Sequence, residues 1–545
     1  MSDESQGRMM REGSPPNMLR EGSPSNMLRE GGKLSLLTML SRILGLVREM
    51  TKAAFLGTGW LADAFAVAFI LPNFLRRLFA EGSMTAAFIP TFTGYLAEGD
   101  GQETKEFLSA IFTVLVFLVG IVVALGVALA PWIVLFFTRD HHDEMALLTQ
   151  IMFPFLALVA IAAFLQGILN SIGIFTPSGM APILFNVCWI AVPYLLGGLT
   201  GNSARDMAVG VVIGGFAQAL CQLPAVLKAG YRFGFIGLGK AFRNPGMRRV
   251  FALIAPTIVG MAAYQINILV STFLATNSGT GSVASLQYSL RLQELVLGVF
   301  VVSLGTVLLP DLSGSARAKD WDSYTGSLSR GLRAMLLITI PVAVYSMIVG
   351  EDIVTLLFRR REFGPESVRL TSSVFFWHMS GLAFIALNRV IAPAFYARGD
   401  TKTPTWAGLI SVAINVGLAF SLVGPLKAPG IALALAGASA ANSLVLVIAL
   451  LRAHIPGAAK ALAVSGRYSL KLILFSALAA LPILFLRPFL TERLALWNVS
   501  LAAGGSLVAT SLVFGGIGLV LLMLSRDEMA YTIVSAFRRR RNSKT

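Results

Sequence analysis

The chain has 545 residues, 55% of them hydrophobic and only 13% charged, with a mean hydropathy of +0.74. Soluble domains carry about 25% charged residues. The deficit, together with repeated apolar runs of about 20 residues, excludes a soluble domain and points to an all-α polytopic membrane protein. Barrel strands would alternate in short segments, which these runs do not. The net charge of +16 is the kind that gathers in cytoplasmic loops of membrane proteins, so it implies no nucleic-acid partner.

Residues 1–33 are polar and repetitive: Arg11-Glu12-Gly13-Ser14-Pro15 recurs as Arg20-Glu21-Gly22-Ser23-Pro24, and Arg29-Glu30-Gly31 begins a third copy. Without an apolar core, this stretch reads as a disordered cytoplasmic tail, not a signal peptide. From Leu34 the hydropathy predicts about fourteen spans, near 34–57, 61–92, 105–137, 145–170, 178–198, 206–228, 248–275, 283–311, 326–350, 366–397, 404–424, 429–453, 467–490 and 498–525. The second, third and tenth are longer than a bilayer needs and should tilt or kink. Cys188 and Cys221 fall inside spans and read as small core residues.

Lys and Arg set the orientation. Loops with Lys228, Arg232, Lys240, Arg243, Arg248 and Arg249, with Arg317, Lys319, Arg330 and Arg333, and with Arg452, Lys460 and Arg467 share one side with the tail Arg538–Arg541. That arrangement puts both termini in the cytoplasm. The tail arginines read equally as a topological anchor or as a holder of anionic headgroups. Arg359-Arg360-Arg361 breaks the pattern on the outer side.

The sequence repeats internally. Ala87-Phe88-Ile89-Pro90 resembles Val307-Leu308-Leu309-Pro310, and Ile133-Val134-Leu135-Phe136 resembles Ile353-Val354-Thr355-Leu356 at the same offset. Thr176-Pro177 with Asn186 resembles Thr403-Pro404 with Asn415. Six spans fit between copies, so the halves run parallel, with a site expected between them near mid-membrane. Small residues such as Gly210 and Gly214 read as helix packing.

Charge inside the spans is the unusual feature. Each charged side chain near the middle of a membrane helix costs roughly 2.5 kcal/mol or more. At the helical rise, Arg42 and Arg48 lie about 12 and 21 Å into span one. Arg76 and Arg77 lie about 22 Å into span two, and Arg291 about 12 Å into span eight. Glu49 and Glu294 are close in sequence, and Asp63 opens span two. Arg42, Arg48, Arg76 and Arg291 against Glu49 and Glu294 leave a surplus of two positive charges. Two readings stay open: internal ion pairs that hold the halves together, or a site for an anion, since arginine forks suit phosphate oxygens. His141, His142, His378 and His454 form no metal-ligand pattern and no Walker A loop is present, so the sequence points to no enzyme.

The motifs Ser41-Arg42-x-Leu44-Gly45-x-x-Arg48, Asp63-Ala64-Phe65 and Leu71-Pro72-Asn73-x-Leu75-Arg76-Arg77-x-Phe79-Ala80-Glu81-Gly82 resemble the MurJ family of bacterial lipid II flippases, in the MATE-like MOP exporter superfamily. Arg291-Leu292-x-Glu294, Leu304-Gly305-Thr306-x-Leu308-Leu309-Pro310 and Asp400-Thr401-Lys402-Thr403-Pro404 extend the resemblance over about 34–525. It implies two six-helix lobes in a V plus a two-helix C-terminal addition, rocking between inward-open and outward-open states. It divides the chain into an N-lobe at 34–230, a basic linker at 231–247, a C-lobe at 248–455, a lipid-tail groove at 456–525 and a basic tail at 526–545. The implied substrate is undecaprenyl-diphosphate-linked GlcNAc–MurNAc-pentapeptide, moved across the bacterial cytoplasmic (inner) membrane for cell wall biogenesis. The implied substrate-binding residues are Arg42, Arg48, Arg76 and Arg291, with Ser41, Glu49, Asp63, Arg77 and Glu294 supporting or gating. Membrane lipids and peptidoglycan synthases are candidate partners of a monomer. Some family members bind sodium through an acid in span seven and an Asn/Asp pair in span eleven. Ser271, Asn415 and Ala419 stand there, two carboxylates short, and Ile70 replaces a lysine of some members, so no cofactor and no metal is expected.

Rival readings are a cation-coupled multidrug exporter, whose cavity should carry surplus acid, a flippase of another polyprenyl-diphosphate glycan, and a scaffolding membrane protein whose arginines are internal ion pairs.

Overall fold

A computed structural model describes residues 24–77, 87–494, 496–529 and 531, with side chains from 32 onward except 255–264 and 299–307. Among the described residues there are nineteen α-helices and no strand. In chain order they are α1 (Pro24–Leu56), α2 (Trp60–Arg76), α3 (Ile89–Glu98), α4 (Gly101–Phe137), α5 (His142–Met152), α6 (Phe155–Ser171), α7 (Thr176–Leu196), α8 (Ser203–Leu220), α9 (Leu223–Lys228) and α10 (Leu238–Arg243). The second half contains α11 (Pro245–Thr276), α12 (Ser282–Arg317), α13 (Trp321–Phe358), α14 (Pro365–Ser380), α15 (Leu382–Tyr396), α16 (Lys402–Leu426), α17 (Ala428–Arg452), α18 (Ala458–Arg493) and α19 (Val499–Leu524).

Ten helical segments among the described residues are long and apolar enough to cross a membrane. α1, α2 and α12 carry the deep charges: Arg42 and Arg48, Arg76, and Arg291. The predicted spans differ from the helices where local chemistry intervenes. α1 starts at Pro24, so residues 24–33 extend the helix instead of ending the tail; proline is tolerated at a helix start, where its missing N–H is not needed. The fourth span is two helices meeting at Pro154, the sixth breaks at Cys221-Gln222, and the tenth breaks at Gly381. The second ends its described part at Arg77, and Glu81 and Gly82 lie outside the described residues. Arg330 and Arg333 sit inside α13, and Lys460 and Arg467 inside α18, not in loops.

Helix packing repeats between two sets of helices, one within α1–α8 and one within α11–α17. α1 packs on α7 as α11 packs on α16; α7 packs on α8 as α16 on α17; α6 on α8 as α15 on α17; α2 on α5 as α12 on α14. Asn186 on α7 and Asn415 on α16 hold equivalent places, each reaching to the first helix of its own set. α18 and α19 pack on α13. Arg487 fixes them there, its Nε 2.9 Å and Nη2 3.1 Å from the two Asp352 carboxylate oxygens, with Nη2 also 2.9 Å from Glu351; Ser506 Oγ donates to Asp352 at 3.1 Å. At the other end Lys471 pairs with Asp527 at 2.7 Å.

The two helix sets meet in a closed seam at one end. Asp63 of α2 is 7% exposed and accepts from the backbone N–H groups of Gly281 (2.6 Å) and Ala284 (2.8 Å), so it caps the start of α12 across the seam. Gly281 has φ 84°, and a side chain there would run into the Thr58 carbonyl. The Thr58 and Ser367 hydroxyls lie 2.8 Å apart, Tyr288 donates to the Gly57 carbonyl at 3.1 Å, and the Glu362 N–H donates to the Ala54 carbonyl at 3.1 Å. The misplaced arginine triplet belongs to this seam. Arg360 donates to the last carbonyls of α13 at Leu356 and Leu357, and Arg361 lies over the rings of Phe55 (4.8 Å) and Tyr194 (5.4 Å). These contacts give the triplet a local role that does not depend on the side of the membrane.

Asp63→Ala removes both acceptors and costs about 1–2 kcal/mol. Gly281→Ala costs more, because left-handed backbone and the Thr58 contact add to it. Both should lower the thermal midpoint in detergent, and an unchanged Gly281→Ala midpoint would contradict the seam. Asp400, before α16, accepts from the Thr403 hydroxyl (2.6 Å) and the Thr403 N–H (3.0 Å), which hold its carboxyl below the usual range. A lowered folded-state value contributes stability that is present at neutral pH and lost as the pH falls through it. Asp400→Ala should therefore cost about 1 kcal/mol near pH 7, with the difference in midpoint narrowing in acid.

Candidate functional site

Between the helix sets lies a cavity of about 780 Å³. One face of α1 enters it with Ser41, Arg42, Arg48, Glu49 and Lys52, residues that recur at helical spacing. α2 contributes Asn73, Arg76 and, at its end, Arg77. α12 contributes Gln287, Arg291 and Glu294. Exposure falls along α1, from an exposed Arg42 to Glu49 at 8% and Lys52 at 6%. The cavity thus opens toward the Arg42 end and closes toward the seam.

α1 and α12 approach closely through two glycines. Arg42 Nη1 donates to the Gly298 carbonyl at 2.7 Å, and a Cβ on Gly298 would lie 2.8 Å from that same nitrogen. Reciprocally, a Cβ on Gly45 would lie 3.0 Å from Arg291 Nη2. Each helix therefore receives the other's arginine at a position without a side chain.

Arg48 is held on several sides. Its Nη2 is 2.8 Å from Glu49 Oε1, its Nη1 donates to Asn186 Oδ1 at 3.0 Å, and its guanidinium lies 4.5 Å from the Trp189 ring centroid. Asn186 in turn donates to the Ser41 carbonyl at 3.2 Å. Arg291 pairs with Glu294 at 3.0 Å. Yet the Nε atoms of Arg48 and Arg291 are both buried without a hydrogen-bond partner, an expensive state for a guanidinium donor. Arg76 Nε donates to Asn73 Oδ1 at 2.9 Å.

All the predicted cavity residues, Ser41, Arg42, Arg48, Glu49, Arg76, Arg77, Arg291 and Glu294, line this one space. Asp63 does not; it sits in the seam. The reading by sequence missed Lys52, whose Nζ lies 3.0 Å from Glu49 Oε2 and 3.1 Å from Gln287 Oε1, and 4.6 Å from the Tyr288 ring centroid. Its place at i+3 from Glu49 was the available signal. Asn186 and Gly45 entered that reading only as parts of the repeat and of a motif, and Trp189 and Gly298 not at all, since none of them carries a charge that would mark a site. Counting Arg42, Arg48, Lys52, Arg76, Arg77 and Arg291 against Glu49 and Glu294, the described lining carries a surplus of four positive charges. His378 also lines it and is buried, its Nδ1 2.6 Å from the Ser289 hydroxyl.

Around the positions aligned with a sodium site, Ser271 lines the cavity, Asn415 Nδ2 donates to Asn267 Oδ1 at 2.7 Å, and Ala419 is buried. Asn415 Oδ1 has no hydrogen-bond partner. These oxygens are neutral, and among the described residues no group of acids, histidines or cysteines is suited to a metal ion.

Residues 52–502 match the family model described as lipid II flippase MurJ. A probable lipid II flippase MurJ of Treponema pallidum is 43% identical over 93% of this chain and 97% of its own length. A probable lipid II flippase MurJ of Vibrio cholerae is 34% identical over 70% and 75%, and the lipid II flippase MurJ of Burkholderia cenocepacia 32% identical over 76% and 81%. Among solved structures, a lipid II flippase MurJ in an inward closed conformation superposes with a TM-score of 0.74 at 24% identity, covering 90% of this chain and 98% of that one. An inward-facing multidrug resistance MATE transporter of the MOP superfamily superposes at 0.63 with 12% identity, covering 78% and 98%. The packing of the two helix sets and the shared motifs agree with these matches, and the chain belongs to the MurJ family of lipid II flippases.

Proposed function

We propose that the chain is the lipid II flippase of its cell, moving the undecaprenyl-diphosphate-linked peptidoglycan precursor from the inner to the outer leaflet of the cytoplasmic membrane by alternating access. The observation that carries the anion site is the convergence of arginines from both helix sets, Arg48 and Arg291 foremost, on one cavity with surplus positive charge. A diphosphate's oxygens suit arginine forks, and its charge offsets the surplus. The identity of its glycan comes from the relatives, which are named for lipid II.

In this reading fourteen helices cross the membrane, as two six-helix lobes in a V with α18 and α19 forming a groove for the lipid tail. Both termini face the cytoplasm. The seam at Asp63 is then the outer gate, closed here, and the cavity opens inward. The protein works as a monomer in the membrane, with no cofactor and no metal. Neutral amides beside a basic cavity give little hold on a monovalent cation, so no sodium-coupled step is part of the proposal. A multidrug exporter shares the fold, but a cavity with surplus acid is what cationic drugs require.

Arg48→Ala and Arg291→Ala should each abolish rescue of a flippase-depleted strain at normal expression. Arg48→Lys should also fail, since a point charge does not replace a planar fork. Loss of one charged hydrogen-bonding group, worth about 1.5–3 kcal/mol, should weaken binding of undecaprenyl diphosphate by about tenfold to a hundredfold. Rescue by Arg48→Ala and Arg291→Ala alike would sink the anion site. Transfer of labelled lipid II by the reconstituted protein in liposomes, with and without a membrane potential, tests the activity directly.

A further inference from the structure

Glu49 is shared. One carboxylate oxygen faces Arg48 (2.8 Å) and the other faces Lys52 (3.0 Å). Lys52 belongs to α1, but its ammonium also reaches α12, to Gln287 Oε1 at 3.1 Å and the face of Tyr288 at 4.6 Å. Tyr288, fully buried, donates to the Gly57 carbonyl in the seam, and the turn before it on α12 is capped by Asp63. An unbroken line of contacts therefore runs from the arginine of the anion site to the closed end: Arg48, Glu49, Lys52, Gln287 with Tyr288, Gly57.

We propose that Lys52 is a positioning residue that couples occupancy of the cavity to the seam, a role that rests on the cavity holding a polyprenyl diphosphate. In the empty site Glu49 stands in for the anion at Arg48. When a diphosphate takes Arg48, Glu49 keeps a single cation. A buried carboxylate is strongly destabilised without a partner, so its charge falls on Lys52. The ammonium already meets Glu49 at 3.0 Å; held there as the carboxylate's single cation, it turns away from Gln287 and the Tyr288 ring. α12 loses its polar tie to α1 just below the Asp63 cap, and the seam loosens. Glu49 thereby stays paired in both conditions and does not repel the bound anion.

The test uses the full chain in proteoliposomes, with Cys188→Ala and Cys221→Ala and a reporter disulfide across the seam, Thr58→Cys with Ser367→Cys, whose native hydroxyls lie 2.8 Å apart. The probe is undecaprenyl diphosphate, and both binding and crosslinking rate are read. In the parent the probe should slow crosslinking several-fold. In Lys52→Gln, read at probe concentrations that saturate the variant, crosslinking should stay unchanged, and Lys52→Arg should restore the response. Gln287→Leu, which leaves Glu49 paired on both sides, should also abolish the response. If Lys52→Gln and Gln287→Leu respond as the parent does, Lys52 is not the coupling residue. A parent that binds the probe without any change in crosslinking overturns the coupling while the anion site stands. A parent that does not bind the probe overturns the anion site and the coupling with it.

Discussion

A charge removed from water must keep a partner close by, and the interior of this molecule is laid out around that requirement. Glu49 is flanked by Arg48 and Lys52. Buried pairs of this kind add little stability by themselves, because desolvation offsets their attraction. They restrict instead which rearrangements the helices can undergo, since any motion that parts a pair must offer each member something else. The unpartnered Nε–H groups show where the pairing is incomplete, and it is incomplete where the two helix sets face each other.

The seam follows the same rule with backbone donors. The N–H groups at the start of α12, which no preceding turn can satisfy, find Asp63 on another helix, and Gly281 gives the backbone the turn that brings them there. A cap normally lies a residue or two before its own helix. Here it comes from the opposite set, so the start of α12 is satisfied only while the sets are together.

Much of this was legible in the sequence, and the exceptions have physical causes. Long apolar runs mark most helices because a bilayer demands them. Helix ends were less legible: Pro154 divides one run, while α1 continues back to Pro24 because polar residues outside the membrane do not oppose a helix. The cavity arginines were legible because charge in an apolar run is costly. Lys52 was passed over, although it is as charged as they are and stands at i+3 from Glu49, because its other partners come from α12 and only the fold brings Gln287 and Tyr288 to it. The Asp63 cap lay beyond the sequence for the same reason, as it joins residues far apart in the chain. The role of Arg361 was also hidden, because counting basic residues by side treats each as a charge and ignores the rings it covers.

The exchange of arginines across Gly45 and Gly298 bears on how the site tolerates change. Neither glycine offers a functional group, yet each is the floor on which a guanidinium from the opposite helix rests. A methyl group at either place would lift one arginine away while every ionisable residue stayed intact. The charge pattern of the cavity is thus written partly in what is missing from two side chains, and a search for damaging changes confined to charged positions would pass over them.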